Sequence, residues 1–181
     1  SMDRDAVPKM AREFGFDQEL SIPLIVTPST SPAPLDSAQA ALASIGQLDV
    51  RSTPLQMAMV SAGIANDGVV MKPYLVDRVI TPDLRVEQQF EPEQFSTPIS
   101  PETAAALTSM MERVVGDPDG TGHVAAIPGV RVAGKTGTAE NGLDASGVDR
   151  PFTLWYTGFA PVDNPKVAIA VVIENGGGAA Q

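Results

Sequence analysis

One short run constrains the fold and the function of this chain more than any other: GKTGTAE, at Gly134–Glu140. Directly ahead of it, Val130-Arg131-Val132 alternate in polarity as strand residues do, which predicts a strand over about 130–139. A lysine and two threonines on an extended backbone can bind a carboxylate and hydrogen-bond a peptide laid alongside. The run therefore points to a ligand-binding strand.

The same residues also fit a phosphate-binding loop, because Gly129–Thr136 matches G-x-x-x-x-G-K-[ST] at every fixed position. Such a loop needs a tight glycine-rich turn and a helix directly after the lysine. The four residues between the glycines, Val130–Ala133, favour a strand instead, and Gly137 and Asn141-Gly142 stand where that helix would run. Nucleotide binding is therefore the less favoured alternative.

In the strand interpretation, Lys135 and Thr136 lie near the end of an edge strand, and Gly137 lets another backbone or a ligand approach closely. An edge strand can accept an extended peptide by strand addition. The simplest alternative is that the lysine and the threonines only decorate a solvated edge, since charged edges deter aggregation. The tripeptide alone leaves both interpretations open.

Composition excludes several classes of function. At 181 residues the chain is one ordinary domain or a large piece of one, and its net charge of −10 argues against nucleic acid as a partner. The chain has no cysteine and a single histidine, His123, which excludes cysteine-based zinc sites and two-histidine metal sites. No apolar run approaches the roughly 18 residues of a membrane helix. We expect neither a metal nor a cofactor.

The periodicity and the turn signals predict four helices and five strands. The helices are expected at about 6–15, 36–44, 53–66 and 100–116, and the strands at 69–80, 84–90, 130–139, 152–160 and 166–174. The first two strands form a hairpin around Thr81-Pro82-Asp83. The last strand contains the run Val167–Ile173, which is apolar on both faces and needs cover on both sides.

Several further motifs occur in a familiar order along the chain. They are Gly46-Gln47, Ser52–Ala58, Ala65-Asn66-Asp67-Gly68, Lys72-Pro73, the GKTGTAE run and Trp155–Pro161, followed by the apolar strand. Together they resemble the transpeptidase domain of the penicillin-binding proteins, particularly the monofunctional class B kind, from about residue 5 to residue 175. Each motif is modest, but their combination is specific.

The resemblance implies an α+β fold like that of the serine β-lactamases: an antiparallel sheet flanked by helices, with the active site along one edge strand. It implies acyl transfer by a serine in S-x-x-K, assisted by S-x-N and K-T-G. Lys135, Thr136 and Gly137 would be the catalytic K-T-G motif. Thr136 and Thr138 would hold the substrate carboxylate, and the backbone N–H of Thr138 would contribute to the oxyanion hole.

The resemblance also implies partners and a location. The substrates would be D-Ala-D-Ala stem peptides of peptidoglycan, and β-lactam antibiotics would mimic them. The protein would work on the extracytoplasmic face of the bacterial cell membrane, anchored by N-terminal segments absent here, with other cell-wall synthesis proteins as possible partners.

The chain departs from the family pattern in two motifs. No serine has a lysine three positions on, and no asparagine has a serine two positions before it. We therefore expect residues 1–181 to be the C-terminal part of one incomplete transpeptidase domain, which needs its missing N-terminal half and cannot form an acyl-enzyme alone. Two alternatives stay open: a β-lactam sensor or hydrolase of the same fold, and a non-catalytic peptide-binding module.

Overall fold

Three of the four helices begin after a residue whose side chain caps them. A computed structural model describes residues 4–22 and 24–177, and its helices are α1 (Ala6–Glu13), α2 (Ser37–Ser44), α3 (Pro54–Ala65) and α4 (Pro101–Gly116). The side chains of Asp36, Thr53 and Ser100 accept hydrogen bonds from backbone N–H groups three residues on, which satisfies donors that have no partner within the helix. All four predicted helices are confirmed.

In the part of the chain that the structure describes, seven strands form three antiparallel sheets. The strands are β1 (Val70–Met71), β2 (Arg78–Ile80), β3 (Val86–Gln89), β4 (Gln94–Ser96), β5 (Ala133–Ala139), β6 (Thr153–Ala160) and β7 (Val167–Ile173). The largest sheet has the order β5-β6-β7, β2 pairs with β3, and β1 pairs with β4. The α+β class with an antiparallel sheet and packed helices is confirmed.

The predicted hairpin is confirmed as β2–β3, but the single strand at 69–80 is wrong. Only its two ends are strands, and the first end pairs with β4, a strand that the sequence did not predict. Pro73 lacks an N–H group and therefore cannot continue a hydrogen-bonded ladder. The last backbone hydrogen bond before Pro73 is donated by the N–H of Lys72 to the carbonyl of Glu93, at 2.8 Å.

The strand of the GKTGTAE run is shorter than predicted, because Val130-Arg131-Val132 lie ahead of β5 rather than in it. Ile127 and Val130 form an isolated bridge across a tight turn, with Gly129 at a φ of +77°. Such a turn needs a positive φ, which glycine adopts without steric cost. Polarity alternation over three residues was too short a signal to separate a strand from this turn.

Arg131 joins this segment to two other parts of the molecule. Its guanidinium ion-pairs with Glu112 on α4, with an Nε–Oε1 distance of 2.8 Å, and with Asp163 in the β6–β7 turn. These two carboxylates raise the pKa of Arg131 above its ordinary value. The carbonyl of Arg131 accepts a hydrogen bond of 3.0 Å from the N–H of Val162. The start of β5 is thus attached to α4 and to the turn after β6.

The main core lies between the sheet and the helices α3 and α4. Its buried members are Ile64 on α3, Met111 on α4, Ala133 on β5 and Phe159 on β6. The same interface contains a polar contact, because the hydroxyls of Ser61 and Thr157 lie 2.6 Å apart. The Thr157 hydroxyl is also 3.1 Å from the carbonyl of Met57 and 3.0 Å from that of Ile169. Helix α3 is therefore fixed in register on β6.

Replacing Ser61 with alanine is expected to lower the free energy of unfolding by about 1–2 kcal/mol, because a buried hydrogen bond is lost and a small void is left. Urea denaturation followed by Trp155 fluorescence measures the change. Ser109→Ala, at an exposed position of α4, is the matched control and should be near neutral. An equal effect of both substitutions would contradict a stabilising role for the buried contact.

The two faces of β7 have different surroundings. Ala168, Ala170 and Val172 are partly buried, whereas the alternate apolar residues of the strand are 44–58% exposed. Those exposed residues are Val167, Ile169, Val171 and Ile173. Within residues 4–22 and 24–177 no helix covers this face, which we call the outer face of the sheet. The prediction that the strand needs cover on both sides is met on the helical face alone.

Candidate active site

Strand β5 carries the lysine motif at a free edge of the main sheet. Its neighbour on one side is β6, and no other described strand pairs with its opposite side. Lys135 is opposite Thr157 and Thr136 is opposite Tyr156. The edge position agrees with the prediction. Lys135 is, however, the third residue of a seven-residue strand, not near its end, because the strand begins only at Ala133.

The motif side chains lie on both faces of the strand, because successive residues of a strand point to opposite sides. Lys135 shares a face with Thr157, which contacts α3. Thr136 and Thr138 lie on the outer face, opposite Tyr156 and Leu154. One ligand can therefore reach the ammonium and both hydroxyls only at the free edge, where the two faces meet.

Lys135 is exposed, and its ammonium donates to the carbonyl of Thr136. In the part of the chain that the structure describes, no carboxylate forms an ion pair with it. A cation without a charged partner, in a protein of net charge −10, leaves a local positive potential at the edge of β5. That potential suits an anionic ligand.

The hydroxyl of Thr136 has a partner that the sequence reasoning missed. Thr121, in the loop after α4, places its own hydroxyl 2.9 Å from that of Thr136. The loop is held on the last turn of α4, since the N–H of Gly122 donates to the carbonyl of Val114 at 2.9 Å. The sequence signal was Gly120-Thr121-Gly122, a threonine between two glycines close before the motif.

Tyr156 explains why a glycine precedes Lys135. Its ring lies across the outer face, and a Cβ added at Gly134 would be 2.2 Å from the Tyr156 hydroxyl. That hydroxyl is buried, has no hydrogen-bond partner among the described residues, and has its pKa raised by burial. Gly137 lies opposite Trp155, where an added Cβ would be 3.3 Å from the tryptophan Cβ. Packing against Tyr156 thus accounts for Gly134, whereas Gly137 has only one close neighbour.

Residues near the motif in sequence have structural contacts. His123 is exposed in a short 3-10 turn, with Nδ1 3.1 Å from the carbonyl of Gly120. Asn141 closes the loop between β5 and β6, because its side-chain amide donates to the carbonyl of Pro151 and contacts the hydroxyl of Thr153. Both residues stabilise the loops that flank β5.

The phosphate-loop interpretation of Gly129–Thr136 is wrong. Lys135 lies inside strand β5, and the strand continues to Ala139, where a phosphate loop would begin a helix. Among residues 4–22 and 24–177, no group of three or more acidic, histidine or cysteine side chains is arranged to hold a metal ion. Within the same residues, every helix is too short or too polar to cross a membrane.

Known proteins with the same arrangement identify the family. The family model described as the penicillin binding protein transpeptidase domain matches residues 1–181. The peptidoglycan D,D-transpeptidase PbpA of Mycolicibacterium smegmatis is 46% identical over 178 residues, covering 98% of this chain and 35% of the relative. PbpA of Mycobacterium tuberculosis H37Rv is 46% identical over 174 residues, covering 95% of this chain and 34% of the relative.

Solved structures agree. The crystal structure of PBPA from M. tuberculosis has a TM-score of 0.83 and 44% identity, over 95% of this chain and 38% of that one. The imipenem acyl-enzyme complex of penicillin-binding protein A from M. tuberculosis has a TM-score of 0.83 and 42% identity, over 96% of this chain and 38% of that one. The chain spans about a third of the length of the curated relatives it matches. It belongs to the penicillin-binding protein transpeptidase family.

Proposed function

We propose that this chain is the K-T-G-bearing part of a peptidoglycan D,D-transpeptidase, which cross-links stem peptides by serine acyl transfer. The observation that carries the proposal is the Lys135 ammonium, exposed and without an ionic partner among the described residues, on an edge strand that also presents Thr136 and Thr138. Relatives of the same family are named peptidoglycan D,D-transpeptidases.

The reaction begins when a serine outside these 181 residues attacks the carbonyl of the D-Ala-D-Ala peptide bond. The terminal D-Ala leaves as the amine, and the remaining peptide is held as an ester on the serine. An amine of a second stem peptide then attacks the ester, forms the cross-link and frees the serine. Residues 1–181 contain no serine with a lysine three positions on, so the nucleophile is assigned to the rest of the protein.

Each motif residue has a distinct role in this proposal. Lys135 supplies positive potential and orients the serine of S-x-N. The hydroxyls of Thr136 and Thr138 donate hydrogen bonds to the substrate carboxylate at the free edge of β5. The N–H of Thr138 donates to the oxyanion that forms when the serine attacks. Gly137, beside Trp155, has no side chain, so the substrate backbone can approach the strand closely.

β-Lactam antibiotics are proposed as inhibitors that acylate the same serine. Relatives with 42–43% identity have been solved as imipenem and penicillin G acyl-enzyme complexes.

We further propose that residues 1–181 are the C-terminal part of one domain and that its N-terminal half completes the site. N-terminal segments would anchor the protein on the extracytoplasmic face of the membrane. Other cell-wall synthesis proteins would be its partners there.

The test is release of D-Ala from a synthetic stem peptide by the full-length protein, with the same peptide amidated at its C-terminus as a control. Turnover of the free acid and little turnover of the amide is the expected result, because the carboxylate is the group that β5 binds. Binding of the acid without release of D-Ala would favour a peptide-binding module and overturn the proposal.

Thr138→Val is expected to lower kcat/KM for the free-acid peptide by about 10- to 100-fold, because a hydrogen bond to a charged group is lost. Thr138→Ser keeps the hydroxyl and should retain most of the activity. Steady-state kinetics of the two variants in the full-length protein make the comparison. Full activity in Thr138→Val, together with a loss in Thr138→Ser, would show that the methyl group, not the hydroxyl, matters at this position.

A further inference from the structure

We propose that Thr121 is a positioning residue for the substrate carboxylate, acting through Thr136; this inference rests on the proposed function. The hydroxyl of Thr121 lies 2.9 Å from that of Thr136, across 15 residues of sequence. Thr121 would donate its proton to Thr136, which leaves the proton of Thr136 free for the carboxylate.

The direction of that hydrogen bond decides whether Thr136 can bind an anion. Each hydroxyl has one proton and two lone pairs, and the contact between the two residues uses one proton. If Thr136 were the donor, only its lone pairs would face the ligand, and they would repel a carboxylate. A carboxylate accepts hydrogen bonds and donates none. It therefore binds when Thr121 donates to Thr136 and the hydroxyl of Thr136 donates to the carboxylate.

The backbone on both sides of Thr121 is packed closely against the last turn of α4. A Cβ added at Gly120 would be 2.3 Å from the carbonyl oxygen of Val114 and 2.8 Å from that of Arg113. A Cβ added at Gly122 would be 3.1 Å from the Val114 side chain. Only glycine fits at position 120, and Gly122 is tightly packed, so the last turn of α4 holds the threonine between them in place.

Further backbone hydrogen bonds hold the same loop. The N–H of Asp117 donates to the carbonyl of Arg113 at 3.1 Å, and the N–H of Gly120 donates to the carbonyl of Asp117 at 2.9 Å. The contact between Thr121 and Thr136 is exposed, so a ligand at the edge of β5 can reach it. A well-held donor behind Thr136 lowers the cost of orienting that hydroxyl when the substrate arrives.

The test uses two boronic acids that differ only in one group, a carboxylate in the first and a carboxamide in the second. Boron accepts the oxygen of the nucleophilic serine reversibly, so equilibrium affinities can be measured with the full-length protein. The wild type is expected to prefer the carboxylate compound. Thr121→Val is expected to reduce that preference about tenfold, and Thr121→Ser is expected to restore most of it.

Affinity for the carboxamide compound shows whether the site still forms in each variant, and Thr81→Val, in the separate β2–β3 hairpin, controls for loss of a threonine hydroxyl elsewhere. The inference is overturned if Thr121→Val keeps the full preference, or if it weakens both compounds equally. If the wild type binds neither compound, the proposed serine chemistry itself fails and the inference fails with it.

Discussion

Replacing Lys135 with methionine is expected to lower the rate at which benzylpenicillin acylates the full-length protein by about 10²- to 10³-fold. Charge that develops in the transition state is stabilised by preorganised groups, and removal of one such group costs this much in other enzymes. Lys135 is an exposed cation at the edge of β5, and no carboxylate pairs with it in residues 4–22 or 24–177. Methionine keeps much of the length of the side chain and removes its charge.

One further variant tests charge against shape at position 135, and a second is a control at another exposed lysine. Lys135→Arg keeps the charge but replaces a compact ammonium with a planar fork, so only partial recovery is expected. Lys166→Met removes an exposed lysine ahead of β7 and should leave the acylation rate unchanged. Stopped-flow acylation with a fluorescent penicillin measures all three variants. An unchanged rate in Lys135→Met would show that the motif lysine is only an exposed residue at the edge of the sheet and has no role in acylation.

Gly68→Ala is expected to be among the most destabilising single substitutions in the chain, with a loss of about 3 kcal/mol or more. Gly68 follows α3 at a φ of +89°, a conformation that residues with a Cβ rarely adopt. A Cβ there would also be 2.1 Å from the carbonyl oxygen of Ile99, a backbone atom that cannot rotate away. Because Ile99 packs against the main core, relief of the clash would disturb that core.

Substitutions at two other glycines distinguish the cost of backbone strain from the cost of the steric clash with Ile99. Gly46 has a similar φ of +80° and open space around it, so Gly46→Ala should cost only the conformational strain, about 1 kcal/mol. Gly116, at the end of α4, has neither a positive φ nor a close neighbour, so Gly116→Ala should be neutral or slightly stabilising. Urea denaturation ranks the three variants. Equal losses for Gly68→Ala and Gly46→Ala would contradict the collision with Ile99.

Local signals explain why so much of the helical structure could be predicted from the sequence. A cap such as Thr53 or Ser100 makes its hydrogen bond within three residues, and Pro54 and Pro101 follow in the first helical position. The hairpin at Thr81 is equally local, since the Thr81 hydroxyl accepts a bond of 3.1 Å from the N–H of Arg85. These signals do not depend on the rest of the fold.

Errors occurred where distant residues decide the structure. Strand β4 was missed because it forms by pairing with β1, where Ser96 is opposite Val70, and no local pattern encodes that pairing. Arg131 lies outside β5, directly after the turn at Gly129, and there it ion-pairs with Glu112 and Asp163, which come from two other parts of the chain. Contacts between residues far apart in the sequence are present in both cases, and strand propensity alone does not reveal them.

The candidate site was predicted in part. The motif and the edge position of β5 followed from the sequence and from the family resemblance. The division of Lys135 and Thr136 between two faces follows from strand geometry, but the face that meets α3 is shown by tertiary contacts such as that of Thr157 with Ser61. Thr121 was missed, because a hydrogen bond between a loop and a strand has no periodicity to reveal it.

The most direct test of the central claim is intact mass spectrometry after incubation with benzylpenicillin, applied both to the full-length protein and to residues 1–181 alone. One covalent adduct on the full-length protein, mapped to a serine outside these residues, and no adduct on residues 1–181 are the expected results. An adduct on a serine within residues 1–181, such as Ser52 or Ser146, would contradict the assignment of the nucleophile to the rest of the protein.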